Sequence, residues 1–186
     1  KENGGIIFPN PNAPTGKFEP VSMIEDIIIH NQESLVIIDE AYVDFGGESV
    51  LPLINKYSNL LVVRTFSKSR ALAGLRIGYA MGNEELIKAL SDVKQSYNSY
   101  TMNQAALQLG VASVKDETYF RKNLKLVVDT REWFKKELIK LGFEFPDSKT
   151  NFVFAKHKTM EARYIFEEAM KHDIYVRFFD KPRINE

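Results

Sequence analysis

Residues 64–79 read Arg64-Thr-Phe-Ser-Lys-Ser-Arg-Ala-Leu-Ala-Gly-Leu-Arg-Ile-Gly-Tyr79 and follow a run of β-forming residues. Lys68 thus lies just beyond a predicted strand, between the hydroxyls of Thr65 and Ser67 on one side and Arg76 on the other. Hydroxyls and a planar guanidinium suit phosphate oxygens, and a partly desolvated lysine amine attacks carbonyl groups. Taken alone, Lys68 is more typical of a surface loop. Its neighbours favour a place where a phosphate and a reactive amine are held together.

A second pattern is Val36-Ile-Ile-Asp-Glu-Ala-Tyr42, an apolar strand that ends in a carboxylate. A carboxylate at the end of a buried strand needs a cationic or strongly donating partner. A protonated pyridine nitrogen is such a partner for Asp39, and the ion pair makes the ring an electron sink. Tyr42 either donates a hydrogen bond to a ring oxygen or packs in the core. Glu40 is interpreted as a solvated neighbour.

The same Asp-Glu pair also ends the Walker B strand of P-loop ATPases, which require a Gly-x4-Gly-Lys-Ser/Thr loop. The Gly-Lys dipeptide of this chain is Gly16-Lys17, where Pro11 replaces the first glycine and Phe18 replaces the hydroxyl residue. The match fails at two points. An ATPase with its P-loop in another part of a longer protein leaves Lys68 unexplained.

Composition narrows the function classes. The chain has 186 residues, 44% of them hydrophobic, a net charge of zero and no cysteine. The zero charge predicts no general attraction to nucleic acid or to an anionic membrane, and no apolar run is long enough to span a bilayer. A disulfide framework and a cysteine zinc site are excluded, and the three histidines lack metal-ligand spacing, so we expect no metal and a cytoplasmic location. The opening Gly4-Gly-Ile-Ile-Phe8 already has the pattern of a buried strand, which favours a piece of a longer protein.

Hydrophobic periodicity predicts an α/β fold. The predicted strands of the first part are residues 5–8, 35–38, 60–63 and 77–81, and the predicted helices are 20–31, 83–97, 103–113 and 116–141. Alternation of strands with helices predicts a mostly parallel, helix-covered sheet, with ligands beyond the carboxyl ends of its strands. After Gly142 a small α+β unit is expected, with strands 143–145, 151–155 and 174–178 and a helix at 159–172. We place the domain boundary near residue 118, which gives a partial large domain at 1–118 and a partial small domain at 119–186.

The three motifs, in this order, resemble the fold-type I pyridoxal-phosphate (PLP) aminotransferases, and within them the histidinol-phosphate aminotransferase family. Asp-Glu-Ala-Tyr-Val-Asp-Phe at 39–45 and the stretch at 64–79 are typical of that family, as is Asn10-Pro-Asn-Ala-Pro-Thr-Gly16 in outline. Thr150-Asn-Phe-Val-Phe154 resembles its small-domain strand. The likeness covers essentially the whole chain.

The resemblance implies a role for each matching residue. Lys68 is the lysine that forms the aldimine with PLP and moves the proton. The other implied cofactor ligands are Asp39 for the pyridine nitrogen, Tyr42 for the phenolate oxygen, and Thr65, Ser67 and Arg76 for the phosphate. Where the family has an asparagine that contacts the phenolate oxygen, this chain has Ala13. Asn12, one residue earlier, is the remaining candidate for that contact.

The implied reaction is transamination between histidinol phosphate or imidazole-acetol phosphate and glutamate or 2-oxoglutarate, in a homodimer. The family's substrate-binding arginine is expected beyond Glu186, and Arg183 is interpreted as a loop charge. Two alternatives stay open. One is a PLP-dependent decarboxylase of the phosphothreonine type on the same scaffold, and the other is a non-catalytic fragment that binds no cofactor.

Overall fold

The computed structural model describes residues 3–182 and 184, so Arg183 lies outside the described residues. Its main sheet has four strands in chain order: β1 (Ile6–Pro9), β2 (Val36–Asp39), β3 (Leu60–Thr65) and β4 (Gly78–Gly82). The pairs β1–β2 and β2–β3 are parallel, whereas β4 returns antiparallel to β3. The predicted mostly parallel sheet is confirmed.

The core forms where helix α1 (Val21–Ile29) packs on this sheet. Pro20 precedes the helix, and Ile24 and Ile28, four residues apart on one face, are fully buried. They meet the alternating apolar residues of the central strands, which are also fully buried: Val36, Ile38, Leu60 and Val62. Fully burying side chains of this size contributes about 1.5–3 kcal/mol each. This packing fixes β2 and β3, the two strands whose ends carry the predicted site.

The remaining helices are α2 (Glu84–Tyr97), α3 (Gln104–Lys115), α4 (Glu117–Lys140) and α5 (Ala162–Lys171). A polar side chain caps the start of three of them by accepting a backbone N–H: Asn83, Asn103 and Asp116. Gly142 follows the end of α4 with φ +88°, a conformation that glycine adopts without strain. In the described part of the chain, no helix has the length and apolar character needed to cross a bilayer.

The C-terminal unit is less regular than the sequence predicts. Its sheet has two short antiparallel strands, β5 (Phe143–Glu144) and β6 (Lys156–His157). The predicted strands at 151–155 and 174–178 are wrong. The carbonyl of Phe152 accepts from the hydroxyls of Ser148 (2.6 Å) and Thr150 (3.1 Å), so side chains take a place that a neighbouring strand would have. The boundary near residue 118 stays a prediction.

Candidate active site

The predicted site residues lie at one edge of the main sheet. In the strand register Asp39, the last residue of β2, pairs with Pro9 of β1 and with Val63 of β3. The backbone N–H of Asn10 donates to the Asp39 carbonyl at 2.9 Å, which continues the pairing past the end of β1. Because these three strands are parallel, the loops that follow them leave from the same edge.

Asp39 is half-buried at the centre of this edge. Its Oδ1 accepts the backbone N–H of Ala41 at 2.9 Å, a local turn that fixes the orientation of the carboxylate. Within residues 3–182 and 184, no cationic side chain forms an ion pair with it. The carboxylate is therefore held in place and keeps lone pairs for a donor or cation that the described residues do not supply.

Lys68 and Tyr42 lie against each other. The Lys68 Nζ is 5.1 Å from the centroid of the Tyr42 ring, within the range of a cation–π contact. Tyr42 is half-buried and packs edge-on against Phe152 at 5.3 Å between centroids. The Lys68 side chain is exposed, so the described residues do not provide the desolvation that a nucleophilic amine favours. The amine is thus held over an aromatic ring and is accessible to a small molecule.

The loop between β3 and β4 brings the two hydroxyls together. The Ser67 N–H donates to Thr65 Oγ1 at 3.0 Å, and the two hydroxyl oxygens are 2.9 Å apart. Arg76 lies at the other end of this loop, in a left-handed conformation with φ +56°, and its exposed guanidinium donates from Nη1 to the Ala73 carbonyl at 3.0 Å. Two adjacent hydroxyls at one end of this loop and an exposed guanidinium at the other are donor groups suited to phosphate oxygens.

The turn after β1 is closed by Asn10, which is 3% exposed. Its side-chain amide accepts from the Glu19 N–H (2.8 Å) and donates to the Glu19 carbonyl (2.9 Å), as a neighbouring strand would. The backbone N–H of Asn12 donates to the Lys17 carbonyl at 2.7 Å and so holds the turn. Ala13 lines a cavity of about 610 Å³ together with Tyr42. A cofactor contact by Asn12 stays a prediction.

The model of the aminotransferase class I and II family matches residues 1–186. The chain belongs to this family. It is 53% identical over 186 residues to histidinol-phosphate aminotransferase of Lactococcus lactis subsp. cremoris (strain MG1363). The match covers 100% of this chain and 52% of that protein. The chain therefore spans about half the length of the curated relatives that it matches.

Solved structures agree with the family and with the fold. The crystal structure of histidinol-phosphate aminotransferase from Clostridium acetobutylicum superposes with a TM-score of 0.85 at 28% identity, over 94% of this chain and 54% of that one. The enzyme from Sinorhizobium meliloti, solved in complex with pyridoxal-5'-phosphate, gives a TM-score of 0.86 at 24% identity, over 98% and 50% of the two chains. The predicted fold-type I architecture is confirmed.

Within this aminotransferase chain, Glu40 corrects the sequence interpretation. It is 2% exposed and not solvated. Its carboxylate accepts from Arg64 (2.8 and 3.0 Å), from the Ser49 hydroxyl (2.7 Å) and from the Val50 N–H (2.7 Å). Burial alone would lower the pKa of Arg64, but the hydrogen bonds and charge of Glu40 raise it. The observed register pairs Asp39 with Val63, so Glu40 lies beside Arg64; aligning the ends of the predicted strands, 38 and 63, does not give this register.

Two further contacts of the aminotransferase chain were missed. The Ser69 hydroxyl donates to Asp44 Oδ2 at 2.5 Å, between the loop of Lys68 and the turn of Tyr42. Arg131 of α4 is 6% exposed, and its guanidinium donates to the backbone carbonyls of Phe45 and Thr150. Neither contact has a local sequence signal, because serine, aspartate and helical arginine are all common on protein surfaces.

Proposed function

We propose that the protein containing this chain is a PLP-dependent aminotransferase. Its reaction exchanges the amino group between histidinol phosphate or imidazole-acetol phosphate and glutamate or 2-oxoglutarate, in histidine biosynthesis. The observation that carries the proposal is the position of the Lys68 amine, which lies 5.1 Å from the Tyr42 ring at the sheet edge where β2 ends in Asp39. The 53% identity to a relative of that name, over the whole chain, supports the substrate class.

The side chains at this edge fit the functional groups of PLP one by one. The Lys68 amine suits the aldehyde, and the Asp39 carboxylate, with no described cation beside it, suits a protonated pyridine nitrogen. The Tyr42 hydroxyl suits the phenolate oxygen. The donors for the phosphate are Thr65, Ser67 and Arg76.

The proposal gives Asp39, Lys68 and Tyr42 separate roles toward the cofactor. When bound, PLP supplies an electron sink for the electrons of a broken bond at the substrate Cα. Asp39 would keep the pyridine nitrogen protonated, because no cation among the described residues pairs with its carboxylate. Lys68 would hold the aldehyde group through its amine, and as a free amine it would act as general base on the substrate Cα proton. The contact with Tyr42 would restrict where that amine lies.

A lysine replacement tests the proposal. Lys68→Ala in the full-length protein is expected to abolish trapping of PLP by borohydride and the absorbance band of lysine-bound PLP. Lys125→Ala is the matched control, because Lys125 is an exposed helix lysine paired with Asp129. A Lys68→Ala protein that still shows the wild-type band and trapped peptide contradicts the assignment.

A substrate panel tests the reaction. Formation of imidazole-acetol phosphate and glutamate from histidinol phosphate and 2-oxoglutarate, or the reverse reaction, is expected in the full-length protein. Release of CO2 from phosphothreonine without a keto acid would indicate the decarboxylase instead. PLP titration of the 186-residue chain by itself separates a binding-competent fragment from a non-catalytic one. The proposal includes a cytoplasmic location and a homodimer. Sedimentation of the full-length protein checks the homodimer.

A further inference from the structure

A side-chain hydrogen bond joins the two segments that carry Lys68 and Tyr42. The Ser69 hydroxyl donates to Asp44 Oδ2 at 2.5 Å, and both residues are half-buried. Ser69 directly follows Lys68, and Asp44 lies two residues after Tyr42. The bond therefore joins the same two segments as the contact between the Lys68 amine and the Tyr42 ring.

The two partners differ in how firmly the backbone holds them. Asp44 lies in a short 3-10 helix, Val43–Phe45, whose flanking residues Val43 and Phe45 are 4% and 2% exposed. Ser69 lies in a turn of the loop, in which the Ala71 N–H donates to the Lys68 carbonyl at 3.0 Å, and the loop is closed at its base, where the Phe66 N–H donates to the Ile77 carbonyl at 3.0 Å. Asp44 is thus the fixed point, and the bond ties the outer part of the loop to it.

The hydrogen bond between Ser69 and Asp44 restricts the position of Lys68. Its side chain is exposed, and the contact with Tyr42 is at 5.1 Å. A free lysine side chain has about 1.5–2 kcal/mol of rotamer entropy to lose when it is held in one position. Fixing the adjacent residue restricts where the stem begins, and small displacements of a reacting group lower rates by large factors.

We propose that Asp44 and Ser69 are a positioning pair that holds the Lys68 amine over Tyr42 for capture of the PLP aldehyde. The inference rests on the proposed function of Lys68. Neither Asp44 nor Ser69 is assigned a contact with the cofactor or the substrate. Their action is through the backbone of Lys68, so it alters the chemistry of the amine more than the binding of the substrate.

The experiment measures PLP capture at Lys68 in full-length protein. PLP is titrated, the complex is reduced with borohydride, and peptide mass spectrometry gives the share of label on Lys68. Ser69→Ala is expected to weaken capture about tenfold, which corresponds to about 1.4 kcal/mol and matches the loss of one hydrogen bond to a charged group. Ser69→Thr keeps the hydroxyl and is expected to stay within about threefold of wild type. The matched control is Ser96→Ala, which removes a hydroxyl bond to the Asp92 carbonyl on the exposed helix α2.

Two further readouts separate positioning from a general loss of structure. Ser69→Ala is expected to lower kcat per PLP-labelled site, measured at saturating PLP, about tenfold with KM within about twofold, whereas partial unfolding lowers only the number of labelled sites. The loss of kcat is expected to be reversed in Ser69→Thr, which restores the hydroxyl, and to be absent in Ser96→Ala. If Ser69→Ala does not fold by circular dichroism, Asp44→Asn replaces it, with weaker capture expected because the acceptor is no longer charged.

The outcomes distinguish this inference from the proposed function. Label on Lys68 in wild type, with equal capture in Ser69→Ala, Asp44→Asn and wild type, overturns the positioning pair and leaves the function intact. Absence of label on Lys68 in wild type overturns the proposed function itself. Weak capture in Ser69→Ala that Ser69→Thr restores supports the pair.

Discussion

Replacing Arg131 with methionine tests how the C-terminal unit is attached to the edge that carries Tyr42. The Arg131 Nη1 donates to the Phe45 carbonyl at 2.8 Å and to the Thr150 carbonyl at 2.7 Å. Phe45 ends the 3-10 helix that follows Tyr42, and Thr150 precedes Phe152, the ring that packs on Tyr42. One guanidinium therefore bridges the two segments that meet at the Tyr42 ring.

The magnitude follows from these contacts. Phe45 is 2% exposed and Thr150 is fully buried, so water does not readily replace the lost donors. Each hydrogen bond from a charged group contributes about 1.5–3 kcal/mol. Methionine has a similar length and keeps most of the packing, and its apolar side chain avoids the desolvation cost of the cation. We expect Arg131→Met to lower the free energy of unfolding by about 2–4 kcal/mol.

Urea unfolding, followed by far-UV circular dichroism and by fluorescence of the single tryptophan Trp133, measures the change. Arg121→Met is the control on the same helix, because Arg121 pairs with Glu117 at 2.8 Å and its side chain is 75% exposed. An exposed pair of this kind contributes at most about 1 kcal/mol. An Arg131→Met protein as stable as the Arg121→Met control would refute the bridging role.

Two further predictions concern charged groups. Glu40→Gln leaves the mostly buried Arg64 without its counter-charge and is expected to cost about 2–4 kcal/mol in urea unfolding; a change below about 0.5 kcal/mol contradicts the buried pair. Hydrogen bonds from Lys135 lower the pKa of Asp147. Burial alone would raise the pKa of Glu132, but hydrogen bonds from Lys135 and Arg131 lower it. Burial alone would lower the pKa of Lys135, but its bonds to these two carboxylates raise it. The stability that Lys135 adds is then complete above the ordinary carboxyl pKa of about 4.5 and below the ordinary lysine pKa of about 10.5, and it is lost as pH falls through the lowered values or rises through the raised one. The stability difference between wild type and Lys135→Met, measured by urea unfolding across pH, should be widest in that window, and a difference that grows below pH 4 is inconsistent with it.

Local sequence patterns were sufficient for the main sheet and for the helices. Val36–Asp39 and Leu60–Thr65 are strands because their β-branched and leucine side chains pack against α1 and the neighbouring strands, and that composition is visible in the sequence. The site residues predicted from strand ends, Asp39 and Lys68, lie at one edge because parallel strands end together. These features depend on neighbours in the chain or on a general rule of sheet topology.

The features that the sequence did not predict depend on side-chain hydrogen bonds, some between near neighbours and some between residues far apart in the chain. Residues 151–155 have strand-like composition, but hydroxyls of Ser148 and Thr150 bind the Phe152 carbonyl instead. Composition alone cannot show whether a neighbouring strand is present. The same holds for Asp44 with Ser69, since a hydrogen bond between distant residues leaves no local pattern.

The antiparallel return of β4 has a consequence for the order in which the protein folds. Thr65 and Gly78 pair across a 12-residue loop, residues 66–77, so the strands that flank Lys68 and Arg76 come from one nearby stretch of chain. Closing this loop costs less entropy than joining β1 to β2 across the 26 residues that include helix α1. The lysine and the arginine thus share a segment that can organise early, before the parallel pairs that bring the end of β2 to the same sheet edge.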